Sequence, residues 1–138
     1  MSDNSPPAYN PKALERGRKN YGEEYTKRVF DRLNSIDPEY SQLFQGFVYA
    51  GLYDRDVIDH KTRELCAVAA LVVAGHVPIL RAHFDACRRY GAGDEEIREV
   101  ILQMSVYAGV PAALMALNEF EKFRAEDSPV LGFGDSPD

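Results

Sequence analysis

The break at Gly75-His76-Val77-Pro78 constrains this chain more than any other feature. Ahead of it lies an almost wholly apolar segment, Leu65 to Ala74, which follows Asp59, a residue type suited to a helix N-cap. Behind it, helical spacing resumes and runs to Tyr90. Proline is tolerated in the first turn of a helix but not in its interior. Ile58 to Gly91 therefore predicts two antiparallel helices joined by a very short turn. A helix apolar on every side is expected to be buried all round, within the domain or partly against another subunit.

The rest of the chain reads as packing for that hairpin. Residues 1–10 carry Pro6, Pro7 and polar neighbours and read as a loose arm. Asn10-Pro11 and Asp37-Pro38 each pair an N-cap residue with proline at the first helical position. The first helix ends near Gly22 and the second starts near Glu23, with Tyr25, Val29, Leu33 and Ile36 on one face. Tyr40, Leu43, Phe44, Phe47 and Val48 make the next apolar stripe, weakened or opened to close approach at Gly46 and Gly51. Asp94 is expected to cap a helix with the stripe Ile97, Val100, Ile101, Met104 and Ala108. After a break at Gly109-Val110-Pro111, the last helix is expected to turn Leu114, Leu117 and Phe120 inward. Residues 125–138 are rich in Asp, Ser, Pro and Gly and read as a tail. No stretch alternates with period two, so the fold class is all-α with six or seven helices, in one domain over residues 11–124.

Composition excludes several functions. A net charge of −6 disfavours nucleic acid and anionic membrane as partners. No apolar run is long enough to span a bilayer, and the start MSDNSPPAYNP has neither the basic nor the apolar region of a signal peptide. Two cysteines do not make a disulfide framework, so a cytoplasmic location is the expectation.

The chemistry concentrates in the hairpin, which holds Glu64, Cys66, Cys87 and all three histidines. His76 and His83 are seven residues apart, but Pro78 disfavours helix just before it, so His76 is expected at the N-terminus of the second helix. With a turn at residues 74–76, Glu64 stands nine residues before it and His83 six after, a height difference of about 4–5 Å that a Glu side chain can span directly or through one water. A carboxylate fixes the tautomer of an imidazole beside it, and the imidazole moves protons near neutral pH. The competing expectation is a dipole-stabilising Glu and a partly buried His without chemistry. His60, beside Lys61, reads as a surface residue; Cys66 and Cys87 read as small buried hydrophobes. Glu64, His76 and His83 lack metal-ligand spacing, so no metal site is expected.

The runs KTREL, Gly75 with His83 eight residues on, and GDEEIREVILQMSVYAGVPAA together resemble the carboxymuconolactone decarboxylase family, which includes alkyl hydroperoxidase D. The resemblance covers roughly residues 12–124. It implies an alkyl hydroperoxidase D-like helical fold with a central antiparallel hairpin, assembled as a homotrimer or homohexamer. The peroxidase branch carries a Glu, then Cys-x-x-Cys, then a His. Here Glu64 and His83 stand at the Glu and His positions, but His76 and Ile79 replace the cysteines, so the thiol chemistry is lost. The decarboxylase branch remains. It implies cofactor-free loss of CO₂ from a small carboxylated lactone in aromatic-compound breakdown, with His83 as proton donor and Glu64 as its orienter. His76 would contact the substrate carboxylate or oxyanion, and Tyr107, Arg81 and Arg63 are candidate substrate-binding residues. A lactone hydrolase or isomerase would need the same Glu–His unit, and a non-catalytic metabolite-binding oligomer is the alternative of a different class.

Overall fold

The computed structural model describes residues 8–126, and every regular element among them is helical. The seven α-helices are α1 (Pro11–Tyr21), α2 (Glu23–Ile36), α3 (Pro38–Phe44), α4 (His60–Ala74), α5 (Leu80–Arg89), α6 (Asp94–Ala108) and α7 (Val110–Glu126). This is consistent with an alkyl hydroperoxidase D-like fold. Two compact units divide the chain, one up to Arg55 and the other from Asp56 onward. Most of the expected loose arm (1–7) and of the expected tail (127–138) lies outside the described residues.

In the first unit α1 packs on α2, and α2 on α3. Both cap-plus-proline starts form. The Asn10 side chain accepts from the N–H groups of Lys12 and Ala13, and that of Asp37 accepts from Tyr40. Residues 8–10 are not loose: Tyr9 Oη donates to Asp31 at 2.5 Å, and the Ala8 carbonyl accepts from Asn34 at 2.9 Å. The stripe expected after α2 holds only in part: Phe44 and Val48 are half-buried, with Phe44 against Phe30 and Tyr49. Tyr40, Leu43 and Phe47 are exposed, while Ser41, Gln45 and Tyr49 are buried. A polar inward residue is tolerated because its bonds are made. Gln45 Oε1 accepts from Asn10 N–H at 2.7 Å, and its Nε2 donates to the Ala8 carbonyl and to Ser41 Oγ, both at 3.0 Å. After Phe44 the helix widens into a π turn, Gln45–Tyr49, closed by Ala50 N–H to the Gln45 carbonyl at 2.9 Å. Gly51 ends it where only glycine fits, since a Cβ there would lie 2.4 Å from the Phe47 carbonyl oxygen.

The second unit is the bundle α4–α7, in which α4 packs on α5 and α6, and α7 on α5 and α6. Its core joins Val68 and Val72 of α4, Leu80 and Phe84 of α5, Ile97 and Ile101 of α6, and Ala116 and Phe120 of α7. The α6 stripe is the expected one. On α7 the inward face is Ala113, Ala116, Phe120 and Phe123, and Leu114 is exposed, because α7 begins at Val110 and its register is set by Ala113 and Ala116. Taken alone, the chain does not bury α4 all round: Val68 and Val72 face the core, while Cys66, Ala70, Val73 and Ala74 are exposed. Asp94 is not the α6 cap. Gly93 holds that place, and the Asp94 carboxylate instead binds Arg88 and Arg124, each at 3.0 Å. Those guanidinium groups, Arg88 first, hold its carboxyl below the usual range.

Candidate active site

The site grows from the two helix ends that make the hairpin. Asp59 starts α4 by accepting from Thr62 N–H at 2.7 Å. Glu64 then falls in the second turn, on the inward face shared with Val68 and Val72. Gly75 stops α4 with φ +78°, a left-handed conformation that side-chain-bearing residues avoid. His76 N–H reaches back to the Leu71 carbonyl at 3.0 Å, closing a Schellman-type end. A single 3₁₀ turn, Val77–Ile79, carries Pro78 and leads into α5, so the chain reverses within a few residues. His83 follows one turn into α5.

This geometry brings Glu64 and His83 into direct contact. His83 Nδ1 lies 2.6 Å from Glu64 Oε2, with no intervening water needed. Glu64 is 1% exposed and His83 8%. A carboxyl group withdrawn this far from water needs a hydrogen-bond partner, and the imidazole nitrogen supplies one. Glu64 therefore holds Nδ1 and orients the ring.

The other candidates are placed differently. His76 is exposed and caps the 3₁₀ turn rather than α5, so it stands outside the Glu64–His83 contact. The 3₁₀ turn, invisible in the spacing, is what separates it from α5. Tyr107 is 68% exposed near the end of α6, neither a core aromatic nor part of the contact. Arg63 is half-buried on α4. Arg81 is buried, and its guanidinium is taken up by Glu119 and Glu126 of α7. These two carboxylates were not legible beforehand, since they lie 38 and 45 residues along the chain from Arg81. His60 is half-buried rather than at the surface, stacked on Tyr90 with centroids 5.1 Å apart.

The cysteines divide. Cys66 is exposed, contrary to expectation, because it falls on the outward face of α4. Cys87 is buried one turn beyond His83. Burial, with the nearby charges of Glu64 and Glu96, pushes its thiol up to about 12. Cys87 is therefore expected to react with a thiol reagent at pH 8 only as the protein unfolds. Labelling kinetics across a denaturant series check this; rapid modification of Cys87 in the native protein would contradict it. Among the described residues, no group of three or more His, Cys, Asp or Glu side chains could hold a metal ion.

The carboxymuconolactone decarboxylase family model matches residues 38–122. The 4-carboxymuconolactone decarboxylase of Acinetobacter baylyi is 31% identical over 101 residues, covering 73% of this chain and 75% of that protein. A Paracoccus denitrificans protein, described as an uncharacterized 15.0 kDa protein in the nqo9-nqo10 intergenic region, is 36% identical over 77 residues. That match covers 54% of this chain and 58% of the relative. With the family model spanning more than half of its length, and Glu64 and His83 paired inside the matched region, the chain belongs to the carboxymuconolactone decarboxylase family.

Proposed function

We propose that this protein is a cofactor-independent acid–base enzyme that decarboxylates a small carboxylated lactone, with His83 as the proton carrier. The observation that carries the reading is the buried 2.6 Å contact between Glu64 and His83 Nδ1. Loss of CO₂ beside an unsaturated lactone breaks one C–C bond and leaves its electron pair delocalised onto the lactone carbonyl as a dienolate. The enzyme has to stabilise that oxyanion and return one proton to carbon. Protonated His83 supplies it from Nε2 while Glu64 balances the charge at Nδ1, and water restores the proton before the next turnover. His76, exposed at the turn, is the candidate contact for the substrate's anionic end. The direct test incubates the protein with carboxylated muconolactones while CO₂ and ring products are followed. Release of one CO₂ per substrate consumed supports the reading. Substrate loss without CO₂ points instead to a lactone hydrolase or isomerase, and binding without turnover to a metabolite-binding protein.

Self-association is part of the same proposal. From Val100 to Asn118 the chain carries no charged side chain, and Leu102, Val106, Tyr107, Val110, Leu114 and Met115 are exposed there. Clustered exposed apolar residues mark interaction surfaces, and closed homo-oligomers are the commonest way to cover them. The net charge of −6 argues against an anionic membrane as the cover. A homotrimer or homohexamer is expected by light scattering at micromolar concentration, and a monomer would contradict this.

A further inference from the structure

Arg81 sits in the first turn of α5, two residues ahead of His83, and is only 6% exposed. The positive end of a helix dipole disfavours a cation there. Two carboxylates outweigh that penalty. Nε donates to Glu119 Oε1 at 2.5 Å, Nη1 to Glu126 Oε2 at 2.5 Å, and Nη2 reaches Glu126 Oε1 at 3.4 Å. Glu126 is the last residue of α7 and Glu119 lies two turns earlier, so one guanidinium ties two points of α7 to the start of α5. The segment before α5 is held by Val77 against the core and by the backbone bonds that end α4, but, among the described residues, by no side-chain hydrogen bond to the start of α5 other than those of Arg81. The 3₁₀ turn has no side-chain cap, and Gly75, His76 and Pro78 are exposed. The rotation of α5 about its own axis decides whether His83 Nδ1 meets Glu64.

We propose that Arg81 is a positioning residue, clamped between Glu119 and Glu126 to fix α5 in the register that holds His83 on Glu64, rather than a cation offered to substrate. Its charge is already matched by two carboxylates, and a fork-shaped guanidinium suits such bridging better than an ammonium point charge. Misplacement of a catalytic group by about an ångström costs up to ~10²-fold in rate, so slack in α5 would be felt at His83 with no change in substrate contacts. The inference rests on His83 as proton carrier for its kinetic arm only.

The test compares wild type with Arg81→Gln, Arg81→Lys and Glu126→Gln. The last changes a half-exposed side chain at a helix end, so it keeps the test open if Arg81→Gln does not fold. The first readout is the low-field proton NMR resonance of the His83 Nδ1–H, assigned by its loss in Glu64→Gln. It is expected to broaden or vanish in Arg81→Gln, weaken in Glu126→Gln and partly persist in Arg81→Lys. The second is turnover. kcat is expected to fall roughly 10–100-fold in Arg81→Gln, with KM within about twofold, and the loss should shrink when Glu64→Gln is already present, as expected for residues acting through one contact. An unchanged resonance in folded Arg81→Gln or Glu126→Gln overturns the proposal, and so does a raised KM with kcat intact. If wild type turns over no lactone, the functional reading fails, while the resonance still decides the clamp.

Discussion

Replacing His83 with asparagine is expected to lower turnover by roughly 10²–10⁴-fold, the usual worth of general acid–base catalysis, while the chain stays folded. Asparagine is the informative choice because its amide nitrogen can stand near the position of Nδ1 and still donate to Glu64, but it has no group acidic enough to protonate substrate near neutral pH. Alanine confounds the experiment. It withdraws the donor 2.6 Å from a carboxylate that is almost completely buried, and losing such a bond costs about 1–3 kcal/mol of stability. His83→Ala should therefore lose activity and melt earlier, while His83→Asn should lose activity at nearly unchanged melting temperature. Glu64→Gln should cost less activity than either, because it disturbs the orienter and leaves the proton carrier in place. Steady-state kinetics beside thermal melts separate these outcomes. A His83→Asn protein that retains turnover within a few-fold of wild type would remove the imidazole from the mechanism.

Truncation of Phe120 to alanine is expected to have the largest effect on stability, about 3–5 kcal/mol. Phe120 is fully buried and packs edge-on against Phe84 of α5 with centroids 4.8 Å apart, and its ring also faces Phe123 at 6.3 Å. The aromatic geometry adds to the simple burial of apolar surface. Two helices hold the cavity walls apart, so the space would close only in part. Against a total stability of about 5–15 kcal/mol for a typical domain, such a loss is a large share. Denaturant titration measures it directly. A loss under about 1 kcal/mol, the centre of the distribution for ordinary substitutions, would mean that α5 and α7 close over the gap.

Some of this structure was legible in the residues and some was not, for definite physical reasons. The hairpin was legible because its signals are local: Asp59 at one end, Gly75 and Pro78 at the other, and an apolar run between. The Glu64–His83 contact was legible for the same reason, since counting residues from a short turn gives height along both helices. What failed is what neighbours decide. The stripe Tyr40, Leu43 and Phe47 has sound helical spacing, yet it points outward, because Gln45 finds three partners inside and the helix widens into a π turn. Leu114 has the hydrophobicity for the core, but Ala113 and Ala116 take the inward positions. Asp94 looks like a cap and serves as an ion-pair bridge instead, because Arg88 and Arg124 arrive from other helices. Arg81 reads as a cation available to substrate until the distant Glu119 and Glu126 are seen to hold it.

The way α4 ends separates two kinds of change that a protein of this shape can undergo. The Glu64–His83 pair belongs to the walls of the hairpin, buried and held by packing. The turn belongs to its rim: His76 is exposed and Ile79 only half-buried. Substitutions at 76 and 79 thus touch neither the core nor the Glu64–His83 bond. An exchange of the imidazole at 76 alters an exposed side chain, whereas a change at 79 alters a half-buried one. On the proposed reading, the hairpin is a socket that keeps the buried pair while the side chains at its rim are exchanged, and restoring a pair of sulfurs there takes a change at both 76 and 79.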